Sequence, residues 1–184
     1  MTAAPIVITL PDGSKREVPS GTTIRQIAES IGKRLGRDAI GGVVDSADIV
    51  DVHTPLRADC SLRIITVKSQ EGLEVLRHSA AHLMASAVQR LFPGTQVTIG
   101  PAIETGFYYD FDKKGGFSPE DLEQIEAEMR RIATLDLPFV REEVSRADAR
   151  AMFERMGEHF KCELVDAIPE GEPISLYRHG DWVD

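Results

Sequence analysis

Arg77-His78-Ser79-Ala80-Ala81-His82 sets two imidazoles four residues apart. On a helix such a pair projects from one face, where it can bind a metal ion or position a water and take its proton. A zinc protease of the H-E-x-x-H kind carries glutamate directly after the first histidine, and Ser79 stands there instead, which disfavours that chemistry. A third zinc ligand would have to come from Cys162, His159 or His179, and spacing alone does not bring any of them to the pair. The pattern is short, and an arbitrary H-x-x-x-H is more often a pair of structural or surface histidines.

The run Ile99-Gly-Pro-Ala-Ile-Glu-Thr-Gly-Phe-Tyr-Tyr-Asp-Phe111 is the second concentration of chemistry. Gly100, Pro101 and Gly106 shape the backbone, and a strand through Phe107, Tyr108, Tyr109 and Phe111 would send alternate aromatics to opposite faces. One set belongs in a core; the other is free to meet a base or ribose.

The elements that must carry these residues follow from periodicity. Leu76, Ala80, Leu83, Ala87 and Leu91 recur every three or four residues until Phe92-Pro93-Gly94, which predicts a helix of about five turns. Counted from Leu76, His78 and His82 fall about 200° and 240° around the wheel, opposite the leucine stripe and so outside the main core. Val75, Ala85, Ser86 and Gln89 share their face and leave room for a ligand.

Upstream, Ile6–Leu10 and Lys15–Val18 flank Pro11-Asp12-Gly13-Ser14, a hairpin signal. Ser20 to Thr23 offers N-capping residues before Ile24, Ile27, Ala28, Ile31 and Leu35, one apolar helix face. Strands at 39–44, 49–52 and 62–67 complete the order ββαβββ, a ubiquitin-like grasp. Residues 68–72, Lys-Ser-Gln-Glu-Gly, read as a linker to a second unit, 73–184. There, strands at 96–99 and 107–111 precede a helix opened by Ser118-Pro119-Glu120-Asp121 with Leu122, Ile125, Met129 and Ile132 as its buried stripe. A strand at 139–144, a helix from Ser145 to near Gly157, and strands at 161–165, 174–178 and 182–184 finish an α+β chain.

The 184 residues are 42% hydrophobic, 28% charged and 6% aromatic, a globular composition that excludes disordered and collagen-like architectures. Residues 1–70 hold 9 basic and 8 acidic side chains, leaving 12 basic and 22 acidic for 71–184; the net charge of −9 argues against phosphate binding over most of the surface. Cys60 and Cys162 form no C-x-x-C, and no stretch reaches the ~18 apolar residues of a membrane span. A cytoplasmic protein with no membrane partner is expected.

Arg77-His-Ser-Ala-Ala-His-Leu-Met, Leu91-Phe-Pro-Gly and Ile99-Gly-Pro to Gly106-Phe-Tyr-Tyr-Asp resemble bacterial threonyl-tRNA synthetases, and the resemblance covers essentially the whole chain. It implies that residues 1–67 are a TGS domain and that 73–184 are an editing domain, which hydrolyses mischarged seryl-tRNA(Thr). His78 and His82 match the family's editing histidines, Tyr109 its motif tyrosine, Lys161 a lysine near the terminal adenosine and the ester, and Asp184 the aspartate before a Cys-x-x-x-His motif. An imidazole or carboxylate would position and deprotonate a water, and Lys161 would stabilise the oxyanion. The resemblance further implies an editing region truncated at Asp184, and a longer enzyme that joins threonine to tRNA(Thr). ATP, Mg2+ and Zn2+, and the homodimer contact, belong to a catalytic domain absent from this chain. Two other readings remain: a free-standing deacylase of the alanyl type, which has no reason to carry a TGS unit, and a non-enzymatic TGS-type binding module with structural histidines.

Overall fold

The computed structural model of the chain describes residues 4–47 and 49–184; Met1 to Ala3 and Asp48, within the expected 1–67 unit, lie outside the described residues. Two compact units divide between Leu76 and Arg77.

In the first, β1 (Pro5–Thr9) and β2 (Lys15–Pro19) form the expected hairpin. Asp12 Oδ1 accepts from the Ser14 N–H at 2.9 Å, and Gly13 takes the left-handed φ of 80° that the turn requires. Helix α1 (Ile24–Ile31) opens on a capping box: the Thr23 hydroxyl accepts from the Gln26 N–H, and the Gln26 side chain accepts from the Thr23 N–H. The periodicity predicts one helix through Leu35, but a second helix, α2 (Lys33–Asp38), starts after Gly32. Gly36 lies so close to Glu29 that any side chain would collide with it, so α2 packs back on α1 while Leu35 still reaches the core.

Strands β3 (Ala39–Val44), β4 (Ile49–Asp51) and β5 (Cys60–Thr66) complete a sheet of order β2-β1-β5-β3-β4, in which only β1 and β5 pair in parallel. Ile6, Ile8, Ile24, Ile27, Ala28 and Leu62 close its interior. This is the grasp that the element order predicts.

Helix α3 (Gln70–Leu91) begins within the 68–72 stretch, and the division between units falls inside it. Of the leucine stripe only Ala87 is buried: Ala81, Ala85 and Val88 are buried beside it, while Leu76 is 41% exposed. Small side chains let neighbours approach closely. Ala87 and Val88 meet Ile125 and Ile132 of α4 (Pro119–Ala133), and Ala85 meets Val97 and Trp182. Helix α4 starts at Ser118–Asp121 as read from the sequence, where the structure adds a capping box between Ser118 and Asp121, although Leu122 of the expected buried stripe is exposed.

Short strands β6 (Gln96–Val97), β7 (Ala102–Ile103), β8 (Gly106–Phe107) and β9 (Phe111–Asp112) pair as β6–β9 and β7–β8. A three-stranded antiparallel sheet, β10 (Phe139–Val144), β11 (Ile174–His179) and β12 (Trp182–Val183), packs with α5 (Arg146–Met156) and α6 (His159–Ala167) around Phe153, Cys162, Val165, Leu176 and Val183. The strand expected at 161–165 is α6. Its buried residues Lys161, Cys162 and Val165 share one helical face, and the Cys162 N–H bonds to the Glu158 carbonyl at 3.1 Å.

Candidate functional site

Asp184 is the hub. The β11–β12 hairpin delivers it: Tyr177 and Asp184 exchange backbone hydrogen bonds of 2.7 and 2.9 Å, extending the ladder set by Arg178–Val183 and His179–Trp182. Gly180, at φ 62°, makes the tight turn. The Asp184 carboxyl then meets three side chains from three other elements. Lys161 Nζ of α6 lies 3.0 Å from Oδ1; His82 Nε2 of α3 lies 3.4 Å from Oδ2; the Tyr109 hydroxyl donates to Oδ2 at 3.4 Å. His78 stands one turn before His82, its ring centroid 4.4 Å away, and is exposed. The structure therefore brings His78, His82, Tyr109, Lys161 and Asp184 together.

The helical wheel places His82 opposite the leucine stripe, outside the main core, yet it is only 8% exposed. The reason is its cover: the Trp182 ring meets it edge-on at 5.4 Å and Tyr177 at 6.4 Å. Burial pushes the imidazole down to about 4, against a smaller upward pull from Asp184; the charges of His78 and Lys161 press further down. At neutral pH the His82–Asp184 contact therefore joins a neutral imidazole to a carboxyl group and is not an ion pair. Nε2 faces Oδ2 at 3.4 Å, so the carboxyl group sits beside the ring.

Lys161 is 3% exposed. Its ammonium donates to the Val183 carbonyl at 2.7 Å, pairs with Asp184, and lies 4.9 Å and 5.3 Å from the ring centroids of Trp182 and Phe153. Those contacts set Lys161 underneath Asp184, where it anchors the end of β12, and not in the open position expected of a group that meets an ester. Tyr109 stacks on Phe111 at 5.0 Å, two residues along the same face as alternation predicts, while Tyr108 is exposed. Gly100 faces the Tyr109 ring so closely that a Cβ there would strike it. Burial, and then Asp184, push the Tyr109 phenol well above its usual value, so it serves as a hydrogen-bond donor.

The candidate third zinc ligands go elsewhere. His159 is exposed at the start of α6, Cys162 is packed in the core, and His179 is buried and stacked on Phe139 at 4.4 Å. Among the described residues no three His, Cys, Asp and Glu side chains gather as a metal site requires. None of their helices is long and apolar enough to cross a membrane.

Three neighbours carry no catalytic signal in the sequence. Trp182 Nε1 donates to Gln89 Oε1 at 2.8 Å, and Gln89 Nε2 donates to Glu158 Oε1 at 2.5 Å and to the Thr95 carbonyl at 3.2 Å. Only the position of Gln89, seven residues after His82 on the same face, hints at the connection.

Fold and site together define a class: a β-grasp unit followed by an α+β unit with a histidine–aspartate–lysine cluster. Residues 6–66 match the TGS domain family. Over 179 residues, 97% of the chain, it is 54% identical to the threonine–tRNA ligase of Maricaulis maris, 52% to that of Citrifermentans bemidjiense and 51% to that of Rhodospirillum rubrum. The chain spans 28% of the length of each of these relatives. Residues 6–66 are thus a TGS domain, and the whole chain is a homologue of the N-terminal portion of threonine–tRNA ligases.

Proposed function

We propose that the chain is the N-terminal part of a threonine–tRNA ligase and that its second unit, 73–184, hydrolyses the ester of seryl-tRNA(Thr), with 1–67 as the TGS unit and 68–72 joining them. The observation that carries this reading is the Asp184 carboxyl held between Lys161, His82 and Tyr109. His82, neutral at working pH, takes the proton of an attacking water, while Asp184, 3.4 Å from its Nε2, orients the ring. Tyr109, its hydroxyl donating to Asp184, orients that carboxyl group and lines the place where the substrate binds. Lys161 keeps Asp184 in place and adds positive potential under the developing oxyanion. His78, exposed one turn away, contacts the incoming ester end of the tRNA.

The chemistry explains why such a site is needed. Serine lacks one methyl of threonine, a difference worth about 1 to 3 kcal/mol in a binding pocket, so a second, hydrolytic selection supplies the remaining accuracy. The joining of threonine to tRNA(Thr), its ATP, Mg2+ and Zn2+, and the homodimer contact belong to segments outside this chain; a cytoplasmic setting follows from that activity. The −9 charge accords with weak tRNA binding by this part alone.

The test measures release of serine from seryl-tRNA(Thr), with threonyl-tRNA(Thr) as control. It uses this chain and a version continued through the Cys-x-x-x-His that follows Asp184 in the family. Hydrolysis of the seryl ester alone, by either protein, is expected. Inertness of both, while folded and able to bind the substrate, leaves a TGS-type binding module as the better account.

A further inference from the structure

Glu158 is 6% exposed, and only one of its oxygens is satisfied: Oε1 accepts from Gln89, while Oε2 has no hydrogen-bond partner. Leaving a buried acceptor unmade is costly, so a role for it is to be sought in what it holds. Glu158 stands at the N-cap position of α6, one turn before Lys161, and its side chain makes no capping bond there. Its partner Gln89 lies on α3, two turns after His82. The orientation of the Gln89 amide is fixed by chemistry: an indole N–H only donates, so Oε1 must face Trp182 and the NH2 must face Glu158 and the Thr95 carbonyl. Every Gln89 contact is thus directional, and the side chain ties α3, α6 and β12 together. Trp182 in turn lies 5.4 Å from the His82 ring and 4.9 Å from Lys161 Nζ, two residues before Asp184.

We propose that Gln89 and Glu158 are positioning residues of the candidate hydrolytic site: they lock the Trp182 indole over His82 and Lys161 and thereby hold Asp184 in register with both. The proposal rests on the hydrolytic reading for its effect on rate, whereas the lock itself is a property of the protein without substrate.

Trp182 is the one tryptophan in the sequence, so its fluorescence reports the lock directly. In Gln89→Leu the indole loses its acceptor; acrylamide quenching rises, and the His82 imidazole, followed by NMR, titrates closer to its ordinary value of about 6.5 as its cover loosens. Glu158→Gln keeps an acceptor for Gln89 and retains the parent's quenching, while Glu158→Ala does not. Should Gln89→Leu fail to fold, Trp182→Phe keeps the ring but removes the donor, and the same upward move of His82 is expected. On seryl-tRNA(Thr), kcat falls roughly ten- to a hundred-fold in Gln89→Leu with little change in KM, the pattern of lost alignment. Unchanged quenching, or raised quenching with an unmoved His82 titration, overturns the proposal. A parent protein inert towards the ester defeats the hydrolytic reading instead, and the two spectroscopic readouts still decide the lock.

Discussion

Ile8, Ile24, Ile27 and Leu62 close the first unit with hydrocarbon, whereas the interior of the second holds His82, Ser86, Thr95, Glu158, Lys161 and His179. These six are the buried polar side chains among the described residues, and all of them follow Arg77. So do the three buried polar atoms without a partner: Ser86 Oγ, Glu158 Oε2 and His179 Nδ1. Apolar burial is non-directional and tolerates repacking. A buried set of charges and amides works only when every partner is in place. The interior of the first unit therefore tolerates repacking, whereas the second carries the cost of its buried polar groups.

The sharpest way to break this contrast is Lys161→Met, which keeps the aliphatic stem but leaves Asp184 without its cation. Lys161 is buried but the Asp184 side chain is 23% exposed, so the loss should fall between the about 1 kcal/mol of an exposed pair and the about 3 to 5 kcal/mol of a fully buried one; urea unfolding followed by Trp182 fluorescence should show it in the second unit. A loss below about 1 kcal/mol would mean that the pair is no more than an exposed one. Next comes Ile27→Ala in the first unit, where truncating a fully buried side chain costs about 2 to 5 kcal/mol. Amide exchange should locate that loss in residues 4–76, with hydrolysis by the second unit retained; loss of hydrolysis would show that the units do not divide the work.

A smaller effect is expected from pH. Burial lowers both His82, to about 4, and His179 below the usual histidine value. The unfolded chain binds those protons first, so this contribution to stability is complete above about pH 6.5 and is lost as pH falls towards 4, by at most roughly 1.4 kcal/mol per pH unit for His82. Between pH 6.5 and 5 the second unit should weaken while the first, with no buried histidine among its described residues, holds. Parallel behaviour of the two units in an NMR-monitored denaturation series would remove the electrostatic half of the comparison.

Local signals were legible where one residue type answers one backbone need: Asp12-Gly13 for the hairpin, Ser118-Pro119 for a helix start, and Gly157 in the left-handed conformation after α5. What escaped depends on packing. Gly36 against Glu29 turns one predicted helix into two. Leu76 outranks Ala81 and Ala85 in hydropathy, yet both alanines are buried; Ala85 packs with Val97 and Trp182, and Trp182 also covers His82. The stretch from Lys161 to Val165 reads as a strand locally, whereas packing of Cys162 and Val165 against Ala149 and Phe153 of α5 goes with a helix. The residues of the proposed site were named one by one through the family resemblance. The meeting of Tyr109 with Asp184, 75 positions apart, and the Gln89 link to Trp182 are facts of tertiary structure.

The central claim is that the Asp184 cluster hydrolyses the seryl ester with His82 as its base. Single-turnover deacylation of seryl-tRNA(Thr), by the version continued past Asp184 and by its His82→Ala variant, tests it most directly. A loss of about a hundred-fold or more in rate, with seryl-tRNA binding and fold intact, is the predicted result. Equal rates for the two proteins would contradict the claim and return His82 to a structural role.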